Sequence, residues 1–134
     1  MFSRILFVLA VSALPMQTQL PEGAAGLWAR DTADCTDGPR IEVSPDATVL
    51  RNGSDVQRLT GLDVCYSCFA GAQEESSVAM IQSGYEEATL TNWSMLYYDS
   101  AAQTVMADFR DNADKALNRR FPLQDATLIR CPAS

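Results

Sequence analysis

Four cysteines, Cys35, Cys65, Cys68 and Cys131, are spread along a chain of 134 residues whose beginning reads as an export signal. An even number of cysteines in a small exported chain reads first as two disulfides, and two cross-links leave such a chain few ways to fold. The signal itself is short. Met1, Phe2, Ser3 and Arg4 carry one positive charge, and Ile5 to Met16 form an apolar run interrupted by Ser12 and closed by Pro15. A run of about a dozen residues falls well short of the roughly 20 that span a bilayer as a helix. Small residues are wanted one and three places before the cut. Gly23 and Ala25 meet that requirement and would make Gly26 the first mature residue; a cut near Thr18 or Gln19 is the alternative. Residues 1–25 are therefore read as a signal peptide cut somewhere in 18–25, and 26–134 as one domain. No cysteine closely follows the apolar run, so no lipid anchor is expected after cleavage, and the product is expected in the periplasm or the medium.

Geometry constrains which cysteines can pair. On an extended strand, residues three apart lie roughly 10 Å from each other and face opposite sides, whereas a disulfide needs Cα atoms within about 7 Å. If 65–68 is extended, Cys65 and Cys68 must take separate partners, one Cys35 and the other Cys131. A tight turn at Tyr66-Ser67 would instead permit Cys65–Cys68 and leave Cys35–Cys131 to join the two ends. Strand character at Val64 to Phe69 favours the crossed pairing. Cys65-Tyr66-Ser67-Cys68 also has the C-x-x-C spacing of thiol oxidoreductases, which place the first cysteine at a helix N-terminus. Gly71 would end any helix here almost at once, and no βαβ pattern surrounds the motif. Spacings of 29, 2 and 62 intervening residues match no zinc ribbon.

The remainder reads as short strands divided by turns at the intervals of a β-sandwich or barrel. Gly26 to Ala29 comes first, anchored by Trp28. Arg40 to Ser44 alternates, with Ile41 and Val43 on one face. Pro45-Asp46 turns the chain into Thr48 to Arg51, and Asn52-Gly53 predicts a type I′ hairpin. Val56 to Leu62, Val64 to Phe69, Ser77 to Gln82, Ala88 to Tyr98, Thr104 to Phe109 and Ala126 to Cys131 continue the series. Asp111 to Arg120 is the one segment with helical character, capped by Asp111 or Asn112 and closed by Arg119-Arg120. The fold class expected is all-β: a small antiparallel barrel or sandwich of seven to eight strands with one short helix.

Charge and residue usage narrow the function. The chain has 17 acidic and 10 basic residues; loss of Arg4 with the leader leaves 9 − 17 = −8. Such a surface repels phosphate backbones and suits a cationic partner or plain solubility. The absence of histidine excludes Ser-His-Asp and Cys-His catalysis and histidine-ligated zinc. Lys115 is the only lysine against nine arginines, a bias that points to a bacterial periplasm. Asn52-Gly53-Ser54 and Asn92-Trp93-Ser94 match the glycosylation acceptor pattern, which matters only in a eukaryotic secretory pathway. Glu74-Glu75, Glu86-Glu87 and the series Asp108, Asp111, Asp114 lack the alternating oxygen ligands and glycine of a calcium loop. No metal or cofactor is expected, and no set of residues supplies nucleophile, base and oxyanion donors together.

Two resemblances can be drawn. Gly26-Leu27-Trp28 resembles the G-x-W that opens the first strand of lipocalin-like barrels, and Arg130 stands where that family places a basic residue over the tryptophan. Ser83-Gly84-Tyr85 and Trp93-Ser94 resemble fragments of the small periplasmic inhibitors of C-type lysozyme, disulfide-bearing eight-stranded barrels. That resemblance implies a binding loop of Ser83, Gly84, Tyr85, Trp93 and Ser94 directed at a cationic enzyme. It departs at Met95, where the inhibitors carry the lysine that meets the enzyme's acids. The expected function is an exported, non-enzymatic binding or inhibitory module. A lysozyme inhibitor and a thiol–disulfide oxidoreductase using Cys65 and Cys68 are the alternatives.

Overall fold

The computed structural model describes residues 19–66, 77–84, 92–111 and 116–133. Nine strands form one sheet: β1 (Gly26–Ala29), β2 (Arg40–Val43), β3 (Thr48–Asn52), β4 (Asp55–Leu59), β5 (Asp63–Cys65), β6 (Val78–Ser83), β7 (Asn92–Asp99), β8 (Thr104–Asp111) and β9 (Thr127–Arg130). Two short helices, α1 (Asp34–Asp37) and α2 (Ala116–Arg120), follow β1 and β8. The spatial order is β4-β3-β2-β1-β9-β8-β7-β6-β5, with every neighbouring pair antiparallel. Two four-stranded meanders, β1 to β4 and β5 to β8, are thus joined through β9 at the centre.

The link between β4 and β5 dictates the curvature. These strands are opposite edges of the sheet, yet only Thr60, Gly61 and Leu62 connect them. Laid flat, nine strands would separate the edges by eight spacings of about 4.8 Å, roughly 38 Å. From Leu59 to Asp63 the chain reaches at most about 14 Å. The sheet must curl, and it does so as a half-barrel. Gly84, just past β6, donates its N–H to the Thr60 carbonyl at 2.6 Å, holding the two edges near each other.

Alternation of side chains fills the concave face. On β7, Ser94, Leu96 and Tyr98 are buried, and on β8, Val105, Ala107 and Phe109. Ile41, Val43, Leu50 and Leu128 join them in one apolar cluster around Trp28. One end is sealed by α2 and the turn after it, through the buried Leu117, Phe121 and Leu123. Arg120 ties that seal to the β3–β4 hairpin: its guanidinium donates to both Asp55 oxygens at 2.6 and 2.9 Å and to Gln57 Oε1 at 3.1 Å. Asn52 Nδ2 donates to the Arg120 carbonyl at 2.9 Å.

The Arg120 fork holds the Asp55 carboxyl below the usual carboxylate range. A depressed native pKa stabilises the fold above the unfolded aspartate's value of about 3.9, and that contribution is lost as pH falls from there through the native value. Asp46, bonded by Ser44, and Asp99, bonded by the Ala102 N–H, are lowered in the same direction. Melting temperature measured from pH 6 down to about pH 2 is therefore expected to fall below about pH 4, with a shallower fall in Asp55→Asn.

Several sequence expectations shift in register. Nine strands stand where seven or eight are expected, and α1 adds a second helix. Of the expected helix 111–120, Ala116–Arg120 is helical among the described residues, whereas Asp111 pairs with Asn92 as the last residue of β8. Asn112 lies outside the described residues. The hairpin at Asn52-Gly53 is present one residue later. Asn52 pairs with Asp55, so Gly53 and Ser54 are the central residues. Gly53 has φ +57°, and Ser54 is not among the positive-φ positions. Positive φ at the first central residue alone is the II′ pattern, which matches strand twist as well as I′ does.

The long-range bridge corrects the crossed cysteine pairing. Cys35 in α1 bonds Cys131 just past β9, with Cα atoms 5.7 Å apart. The two meet because β1 and β9 are neighbours and Cys131 extends their ladder, donating its N–H to the Leu27 carbonyl at 2.8 Å. Cys65 is also disulfide-bonded; Cys68 lies outside the described residues.

Candidate functional site

The end of the half-barrel opposite α2 is covered by the chain's own segment 19–25. Trp28 lies fully buried beneath it, with the Arg130 guanidinium stacked over the indole at 4.4 Å and the Tyr98 ring meeting it edge-on at 5.9 Å. Strand pairing sets this stack: Trp28 on β1 is the register partner of Arg130 on β9. The G-x-W and the late arginine singled out from sequence are thus brought into contact.

These three side chains face a row of backbone oxygens. Tyr98 Oη donates to the Glu22 carbonyl at 3.1 Å and Trp28 Nε1 to the Ala24 carbonyl at 3.0 Å. Arg130 donates through one terminal nitrogen to the Ala25 carbonyl at 3.0 Å and through the other to the Gly23 carbonyl. Ala24 is fully buried and Leu20 packs against the core. Glycine is required at both contacts. Gly23 has φ +87°, and a Cβ there would lie 2.6 Å from Tyr98 Oη; at Gly26, φ is +140° and a Cβ would lie 2.9 Å from the Arg130 guanidinium.

Beside this segment lies an open cavity of about 590 Å3, lined chiefly by Glu22, Tyr66, Ser77, Tyr98, Ser100 and Gln103. Among the described residues its lining includes one carboxylate, two phenols and no basic side chain. The rim is preorganised by a local network. Asp99 Oδ1 accepts from Ser77 Oγ at 2.9 Å and from the N–H groups of Ala101 and Ala102 at 3.0 and 3.2 Å. Gln103, itself at φ +57°, donates its amide to Tyr98 Oη at 3.0 Å. Tyr66 is 56% exposed and donates its hydroxyl to the Gln19 carbonyl at 3.0 Å. Sequence reading missed this cluster, because Tyr98 reads as strand bulk and residues 20–25 as part of the leader.

The loop residues singled out from sequence sit elsewhere. Ser83 and Ser94 are register partners on β6 and β7, fully buried, with their hydroxyls 3.0 Å apart. Trp93 is half-buried on the other face of β7. Gly84 makes the edge contact with Thr60, and Tyr85 lies outside the described residues. Thr48, also fully buried, has a hydroxyl with no hydrogen-bond partner among the described residues. Asp108 is bonded to Gln124 at 2.7 Å and paired with Arg110 at 3.0 Å. Glu74, Glu75, Glu86, Glu87 and Asp114 lie outside the described residues. Among the described residues no group of three acidic or cysteine side chains is placed to hold a metal, and no helix is long and apolar enough to cross a membrane.

No protein-family model, curated protein or solved structure matches the chain.

Proposed function

We propose that the chain is an exported, non-enzymatic binding module, a small antiparallel barrel of the calycin kind that takes a small organic ligand at its open end. The observation that carries this reading is the 590 Å3 cavity beside Tyr98. Concave sites of this size that combine aromatic surface with a few fixed polar groups are typical of ligand pockets. The contact of Arg130 with Trp28 supports the likeness to lipocalin-like barrels. The Cys35–Cys131 bridge fits an oxidising compartment outside the cytoplasm.

The lining defines the ligand's chemistry. Among the described residues Glu22 is the one charged side chain of the cavity wall, and the whole chain carries a net charge of −7. A neutral or cationic molecule with an apolar edge for Tyr66 and hydroxyl or amine groups for Ser100 and Gln103 suits it; an anion does not. Titration calorimetry against neutral polyols, aromatic amines and matched carboxylates is expected to find binding among the first two classes only. In Glu22→Gln, affinity for the amine should fall about five- to tenfold, equivalent to roughly 1 to 1.4 kcal/mol, while a neutral ligand is unaffected. Preference for the carboxylate, or no binding below about 1 mM, overturns the reading.

A second reading, inhibition of a cationic protein such as a C-type lysozyme, draws support from the acidic surface. It is tested by inhibition at low and high salt, since steering between opposite charges weakens as ionic strength rises.

A further inference from the structure

We infer that export processing leaves Leu20–Ala25 on the mature protein as a strap across the open end, the cut falling ahead of Leu20 and not at Ala25. This rests on the export reading. It deepens the proposed function too, because Pro21, Glu22 and Gly23 form one wall of the cavity.

The carbonyls of Glu22, Gly23, Ala24 and Ala25, four in succession, each accept a hydrogen bond from a side chain of the sheet: Tyr98, Arg130, Trp28 and Arg130 again. Those donors belong to β1, β7 and β9, with Tyr98 and Arg130 lying 70 and 102 positions after Trp28 in the chain. Such convergence marks a site built for this stretch of backbone. The two glycines agree, since Gly23 and Gly26 admit the close approach of Tyr98 and Arg130 that any side chain would block.

A cut after Ala25 would undo this in three ways. It would remove all four acceptors, so the indole N–H of Trp28 and the Arg130 guanidinium would lose the backbone partners that hold them. It would uncover the apolar cluster where Ala24 and Leu20 now sit. It would also place a new α-ammonium on Gly26, beside the guanidinium that now bonds the Ala25 carbonyl, setting two cations against each other. The peptidase acts before the chain folds, so the strap is no barrier to cutting. The fold is built around the strap, and a mature chain lacking it would be poorly held.

The test takes the full-length chain, expressed with its own leader, and measures the intact mass of the exported protein. An N-terminus at or before Leu20 is expected, and a species beginning at Gly26 overturns the proposal. A chain recovered only in the cytoplasm at full mass would sink the export reading instead. The strap is then judged by a second measurement, which applies to either form. Cutting at the Glu22–Gly23 bond by a glutamate-specific protease is followed by mass spectrometry in the parent protein and in Arg130→Met. The variant is expected to be cut at least tenfold faster, with other glutamate sites unchanged; equal rates overturn the strap.

Discussion

Replacing Cys35 and Cys131 together by serine is expected to lower stability by about 4 kcal/mol and the melting temperature by more than about 10 °C. The bridge joins residues 96 apart. In the chain-entropy view, removing it frees a loop of nearly the whole domain in the unfolded state, worth up to about 4.7 kcal/mol for 100 residues. Small domains have only about 5–15 kcal/mol in total. The loss is also local, because Cys131 continues the β1–β9 ladder and α1 has no buried residue of its own to hold it. Thermal melts followed by circular dichroism, with and without reductant, check this. The parent protein in reductant should fall at least as far as the double variant, because reductant also opens the bond at Cys65; a change below about 3 °C in the double variant would show that the staple is dispensable.

Trp28→Ala is expected to cost a similar amount, about 4 kcal/mol, in the range found for removing a large buried aromatic side chain. Trp28 is fully buried, lies under Arg130 at 4.4 Å and holds the Ala24 carbonyl at 3.0 Å. Trp28→Phe separates the parts. It keeps an aromatic surface under the guanidinium but loses the indole N–H, so about 1 to 2 kcal/mol should be lost. Urea unfolding midpoints distinguish the two. If Trp28→Ala unfolds within about 1 kcal/mol of the parent, the stack is not the anchor of the open end.

Much of this architecture was legible from residues alone, and the misses have physical causes. Arg40–Val43 shows its alternation directly, with Ile41 and Val43 buried and their neighbours half-exposed. Trp28 and Arg130 could be matched because their roles are fixed by residue type, an aromatic at the head of the first strand and a cation on the last. Local spacing favours the crossed cysteine pairing, whereas the actual pairing follows from β1 and β9 being neighbours, a tertiary fact. Asp111 reads as a helix start yet ends β8, because aspartate serves equally as a cap or as a strand end. The mouth cluster was hidden for a different reason. Its wall includes Pro21, Glu22 and Gly23, and a stretch that satisfies the small-residue rule for cleavage gives no local sign of packing against Tyr98 and Arg130.

The position of β9 governs how the protein can assemble. Thr127–Arg130, near the C-terminal end, is flanked by β1 on one side and β8 on the other, at the middle of the nine-stranded sheet. Until those four residues are in place, the chain holds two separate meanders tethered at Thr60–Leu62, each with an unsatisfied inner edge. Contacts between such distant parts form slowly, and exposed edges invite pairing with other chains. The native sheet is therefore expected to close late, when the last strand slots between the first and the eighth and brings Cys131 to Cys35.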